Sequence, residues 1–195
     1  MNNLIRFLFV TSAAIGLLAP AHATIETYTI DPVHSSVGFK IRHVFSHVPG
    51  SFTTFSGTIT VDRANLEAST VEATIAIGSV TTASEKRDAD LKSPNFFDAA
   101  KFPAITFKST SWKKSGENTY DVTGDLTIKA VTKSVVLKTK LLGFGPGLQG
   151  ADVSGWEATT TLNRRDFGID GPAWLGTAIG NDVTVTISIE ADLKK

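Results

Sequence analysis

The chain has 195 residues, 19 basic against 19 acidic, and no cysteine. Charge balance argues against a nucleic-acid partner, because neutralising phosphates takes a clustered excess of Lys and Arg. The lack of thiols excludes cysteine nucleophiles, iron–sulfur clusters and Cys-type zinc sites.

Residues 1–23 carry one early cation (Arg6), an apolar run from Phe7 to Leu18 and the triplet Ala21-His22-Ala23, the pattern of a cleavable export signal. The run is short for a membrane span and is followed closely by Pro20. Export to the periplasm is expected, leaving one domain over 24–195 with a net charge of −1 and no membrane span. An uncleaved anchor is the alternative.

Beyond the signal, Tyr28-Thr29-Ile30 is a short extended piece broken by Asp31-Pro32. Eight stretches then alternate apolar and polar residues with period two, as half-buried strands do. The first is expected over about 34–43, with Val37, Phe39 and Ile41 on one face. His43 to Ser51 reads as a connection ended by Pro49-Gly50. The second strand, about 52–62, groups Phe55, Gly57, Ile59 and Val61, with Phe52 out of phase across a bulge near Thr53-Thr54. The third, about 68–77, groups Val71, Ala73, Ile75 and Ile77.

The alternation then stops between Thr81 and Phe107. Thr82 and Glu85 have capping-box spacing, which predicts a polar helix over roughly 83–91. Ser93 with Pro94 suggests a second helix start, followed by the Phe96-Phe97 pair, and Phe102-Pro103 blocks further helix. Hairpin loops usually take about two to five residues, so this segment reads as a cap anchored by its aromatics and the Lys101-Phe102-Pro103 triplet.

Strand four is expected at about 104–112 (Ile105, Phe107), and Lys113–Asn118 reads as a hairpin loop. Strands five and six follow at about 119–128 (Tyr120, Val122, Gly124, Leu126, Ile128) and 133–142 (Val135, Leu137, Leu141). Gly143–Gly150 looks superficially like a phosphate loop but has no helix start behind it, so it reads as a turn. Strand seven, about 154–164, aligns Trp156, Ala158, Thr160 and Leu162. A second interruption at 165–181 holds Phe167 and Trp174, and strand eight runs over about 182–192.

Eight such strands without a long helix predict an all-β fold: an antiparallel up-and-down barrel with a short helical cap between strands three and four. In that topology the connections 43–51, 78–103, 129–132 and 165–181 share one end, which gathers the cap, Trp174 and His43 at one mouth. The inward rows mix large residues with small ones (Gly57, Ala73, Gly124, Ala158), which leaves either an apolar bore or ordinary taper packing.

Catalytic patterns are scarce. His43 and His47 have metal-ligand spacing only if helical, and His34 stands apart; no metal and no catalytic residue is assigned. Arg87, Asp88, Arg164 and Asp166 gather at the capped end, either as a polar ring for a head group or as an ion-pair network pinning the cap.

The motifs Ile30-Asp-Pro-Val-His-Ser-Ser-Val-Gly-Phe39, Gly50-Ser-Phe52, Arg87-Asp-Ala-Asp-Leu-Lys-Ser-Pro-Asn-Phe-Phe-Asp98, Phe102-Pro-Ala-Ile-Thr-Phe107, Gly124-Asp-Leu-Thr-Ile128 and Asn163-Arg-Arg-Asp-Phe-Gly-Ile169, in that order, resemble the YceI family. The resemblance spans the mature chain. It implies an exported, lipocalin-like eight-stranded barrel whose pore holds a polyisoprenoid or quinone-like lipid. Enzymatic activity is not implied, and homodimers occur in the family. Many members have His at position 90, Gly at 130 and Pro at 134, where this chain has Asp90, Ala130 and Ser134.

The expectation is thus a periplasmic protein that carries or sequesters a long isoprenoid-like lipid and needs no cofactor. Its apolar pore and cap are assigned to Val37, Phe39, Ile41, Phe55, Ile59, Ile75, Phe96, Phe97, Ile105, Phe107, Leu126, Leu137, Trp156 and Trp174, with His43, Arg87 and Arg164 as head-group candidates. The rival is an enzyme for a small apolar substrate at the capped mouth, with His43 as base. A structural interaction module is the third reading.

Overall fold

A computed structural model describes residues 25–148 and 150–194. The export signal read over residues 1–23 lies outside the described residues. The strands are β1 (Ile25–Ile30), β2 (Ser36–His43), β3 (Ser46–Phe52), β4 (Phe55–Asp62), β5 (Thr70–Ala76), β6 (Val80–Thr81), β7 (Ala104–Gly116), β8 (Thr119–Ile128), β9 (Val131–Pro146), β10 (Asp152–Asn163) and β11 (Ile179–Leu193). One α-helix, α1 (Glu85–Lys92), lies between β6 and β7.

These segments form eight staves of a closed antiparallel barrel, because three of the staves are broken strands. β11 carries β1 on its C-terminal end (Ile30 opposite Ala191) and β2 on the rest (Phe39 opposite Val185), so β1 and β2 are one bent stave. β3 lies on β2 and β4 on β1, forming the second stave, interrupted at Thr53-Thr54. β5 and β6 make the third, and β7 to β11 follow in order until β11 closes on β1. Closure removes most of the free edges that an open sheet would present to other chains. The inner face follows from period-two burial, seen most plainly along β8, where every second side chain from Tyr120 to Ile128 is buried.

Of the segment 43–51, expected as a loop, only Val44-Phe45 is a turn: His43 ends β2 and 46–51 belong to β3. Pro49 sits opposite Lys40, and β3 has a second neighbour only at Ser51 and Phe52, against β6. Residues 46–50 are thus an edge, where proline's missing N–H costs no ladder bond. Lys113–Gly116 and Gly143–Pro146, also expected as loops, are paired extensions of β7 and β9.

The capping box is not formed. Ser84 is the N-cap of α1 and makes no side-chain cap, while Thr82 is buried. The Thr82 hydroxyl donates to Asp88 Oδ1 (2.6 Å) and accepts from Arg87 Nε (2.8 Å), so it is not available to Glu85. Ser93 closes α1 instead of opening a second helix. Its hydroxyl donates to the Asp90 carbonyl (2.6 Å), and 94–97 form a turn.

The β1–β2 bend is held by a clasp onto β11. Asp31 N–H donates to the Glu190 carbonyl (2.9 Å), as does the Ser35 hydroxyl (3.1 Å), which in turn accepts from Glu190 N–H (3.0 Å). His34 Nδ1 lies 2.6 Å from Asp31 Oδ2 and 3.7 Å from Glu190 Oε1. The Asp31 hydrogen bond holds His34 above its ordinary 6.5, and the His34 hydrogen bond holds Asp31 below its ordinary 3.8. A raised histidine stabilises the fold below 6.5 and loses that as pH rises through its folded value. A lowered aspartate stabilises above 3.8 and loses that as pH falls through its own. Replacing His34 with glutamine is therefore expected to lower the urea midpoint between pH 3.8 and 6.5, with the difference shrinking on either side. An equal deficit well above the histidine range would refute it.

Candidate functional site

The barrel interior holds a cavity of about 670 Å3. Its floor is aromatic. Trp112 meets Trp156 edge-on (ring centroids 5.5 Å apart), Trp156 meets Phe144 (5.8 Å), and Phe144 meets the fully buried Tyr28 (5.8 Å). Below them Arg63 stacks over Phe144 (4.6 Å) and donates to Glu26 Oε2 (2.6 Å) and to the Tyr28 hydroxyl (2.7 Å). Burial and the bond to Glu26 raise the Tyr28 pKa, so the phenol stays neutral. This end is sealed.

The cavity follows β10 from Trp156 to Leu162 and reaches Arg164 just beyond, roughly 20 Å along the axis once strand rise and tilt are allowed for. A cavity of this volume running that length is an elongated bore and not a round chamber. At the upper end, the exposed side chains of His43, Lys86, Arg87 and Trp174 line it, so it opens at the capped mouth.

Every sequence-assigned residue borders this cavity. The staves supply Val37, Phe39, Ile41, Phe55, Ile59, Ile75, Ile105, Phe107, Leu126, Leu137 and Trp156; the cap supplies Phe96 and Phe97; the connection after β10 supplies Trp174. Ile30 and Val48, missed because β1 and β3 went uncounted, line it too, as do Val183, Val185 and Ile187 of β11. The last three were legible as a period-two row. Gly57 and Gly124 do not widen the bore. A Cβ on Gly124 would lie 2.4 Å from the Phe107 ring, and one on Gly57 2.8 Å from Ile30 Cδ1, so neighbours fill those spaces. Ala73 and Ala158 do border it.

The cap is anchored by packing. Leu91, Phe96 and Phe97 pack on the upper core, and Phe97 meets Phe52 edge-on at 6.1 Å. Gly171 N–H donates to the Asn95 carbonyl (3.1 Å), and the Phe96 ring lies over Gly171, where a Cβ would be 2.9 Å from it.

The two Arg/Asp clusters do not join into one ion-pair network among the described residues. Arg87 binds Thr82, donating to its hydroxyl and, through Nη2, to its carbonyl (2.8 Å). The Thr82 hydroxyl bond holds the Asp88 carboxyl below its usual range. Arg164, only 6 % exposed, donates through Nε to the Gly180 carbonyl (2.9 Å) and through Nη1 to the carbonyls of Ile169 and Asp170. Burial lowers its pKa, with the Arg165 charge adding to the effect. Asp166 is exposed and, among the described residues, in no ion pair.

His43 and His47 lie on paired strands, not a helix, and both are exposed. Among the described residues, the one His/carboxylate group with ligand atoms within 4.8 Å is Asp31, His34 and Glu190, the clasp outside the cavity. Among the described residues His43 is in no ion pair, and it borders the cavity together with Arg87 and Asp90 of the cap.

Comparison with known proteins places this architecture. A UPF0312 protein of Pseudomonas syringae pv. tomato is 39% identical over 171 residues, covering 86% of this chain and 89% of the relative. The crystal structure of Burkholderia cenocepacia BcnA superposes with a TM-score of 0.77 at 23% identity, covering 83% of this chain and 99% of that one. A polyisoprenoid binding domain from Saccharophagus degradans, implicated in plant cell wall breakdown, superposes at 0.67 with 15% identity, covering 86% and 98%. At these identities the two structures bear on the fold alone. The YceI-like domain profile matches residues 28–191, and the chain belongs to that family.

Proposed function

We propose that the protein is a periplasmic carrier or sequestering protein that holds one long isoprenoid-like lipid, a polyisoprenoid or an isoprenoid quinone, in the barrel. The observation that carries this reading is the elongated bore, with its nearly unbroken apolar wall, closed aromatic floor and mouth bordered by polar groups. Such a shape matches an extended tail with a polar end held at the rim. Burying apolar surface contributes about 25 cal/mol per Å2, so a tail filling the bore binds firmly without strong polar contacts. The ligand class proposed is the one named for the S. degradans polyisoprenoid binding domain, which shares this fold. Periplasmic placement rests on the amino-terminal export pattern.

Native mass spectrometry of the protein purified from its own periplasm tests the reading. A stoichiometric adduct whose extracted mass and fragments identify a prenyl lipid is expected. Protein that emerges free of lipid, and afterwards takes up neither prenyl alcohols nor quinones, would sink it.

A further inference from the structure

The tip of the β2–β3 hairpin is built against ordinary folding preferences. Val44 occupies it at φ +50°, a conformation in which a β-branched residue is an outlier and glycine the usual occupant. Phe45 beside it is fully exposed, and neither side chain borders the cavity. Residues 40–48 of this hairpin hold Lys40, Arg42, His43 and His47 and no acidic residue. Lys40, Arg42 and His47 line a polar groove on the outer wall in which Asp182 is the one acid.

The tip is joined to the other exposed aromatic at this end. Val44 N–H donates to the Ala178 carbonyl (2.7 Å), and Arg42 donates to the carbonyls of Val44 (3.1 Å) and Thr177 (3.0 Å). These bonds hold the hairpin to the connection that carries Trp174, which is 81 % exposed and borders the cavity. Two exposed aromatics on linked segments, next to the opening of an apolar bore, are flanked by cations on the hairpin side and by Lys86, Arg87 and Asp90 on the cap side. That is the composition of a bilayer-interface anchor: ring at head-group depth, basic groups on lipid phosphates.

From this we infer that the capped mouth docks on an anionic phospholipid surface, with Val44 and Phe45 entering the interface, Lys40 and Arg42 meeting phosphates, and the bore facing the lipid. The purpose of such docking, though not its geometry, rests on the lipid-carrier reading.

Sedimentation with phosphatidylglycerol/phosphatidylcholine vesicles tests it on the mature protein. Wild type is expected to pellet with anionic vesicles and less with pure phosphatidylcholine. The substitution Phe45→Ser, at an exposed site that leaves the core intact, is expected to weaken partitioning by about tenfold, the worth of one buried aromatic ring. Uptake of geranylgeraniol from solution should be equal in the two proteins. Wild type left in the supernatant, F45S pelleting as well as wild type, or Phe45 serving only to join two copies of the chain would each overturn the docking. Vesicle binding that depends on Phe45 in a protein refusing geranylgeraniol would uphold the docking and reject the carrier reading.

Discussion

Replacing Ile75 with aspartate is expected to cut prenyl-lipid affinity at least about a hundredfold, roughly 2.7 kcal/mol, while Lys40→Ala on the outer face leaves it unchanged. Ile75 lies mid-stave between Phe55 and Ile105, all three on the cavity wall. A carboxylate there meets water when the bore is empty and loses it when a hydrocarbon slides past. The lipid must therefore strip the charge of solvent with no partner to replace it. Because a charge in the wall can also unsettle the barrel, Val185→Trp serves as an independent probe. Val185 faces the bore between Phe39 and Thr160, and an indole there occupies the guest's space without adding charge. Fluorescence titration with a short-chain quinone, alongside urea unfolding, separates the two causes. If both variants stay folded and bind as wild type does, the guest does not occupy the bore.

The inner wall was legible because period-two burial and the cavity have one origin: side chains pointing at the barrel axis either fill it or line it. β8 matched its expected span, Thr119–Ile128, since nearly every second residue is buried. The ends of β7 and β9 left no such signal. Lys113–Gly116 is exposed on both faces, so nothing selects apolar residues there even though the backbone stays paired. β3 was hidden by Pro49-Gly50, residues that mark turns in general and are tolerated on an edge that only the assembled barrel defines. Glycine at 124 suggested space, but the Phe107 ring fills it, and a one-chain pattern does not say which neighbour crosses over. The same holds for Thr82. Its spacing to Glu85 is that of a capping box, yet Asp88 and Arg87 reach the hydroxyl first.

Arg164 presents that difficulty in its strongest form, and its removal carries the largest expected cost in stability. Three backbone carbonyls, at Ile169, Asp170 and Gly180, converge on one buried guanidinium, and carbonyls have no signature in the sequence. Substitution by methionine keeps the apolar stem but strands those acceptors. At about 1–3 kcal/mol for each buried group left unpaired, a loss of roughly 3 kcal/mol in unfolding free energy is expected after partial rehydration. Lysine restores the charge without the planar fork and should recover only part of it. Since these carbonyls hold the connection carrying Phe167, Ile169 and Trp174 against the mouth, lipid affinity should fall in step with stability across Met, Lys and wild type. A head-group role predicts another ordering: R164M as stable as wild type in urea but deficient in binding, and most so for lipids with an anionic end. The two measurements on three proteins therefore decide whether the buried cation serves the fold or the guest, and the geometry of its hydrogen bonds favours the fold.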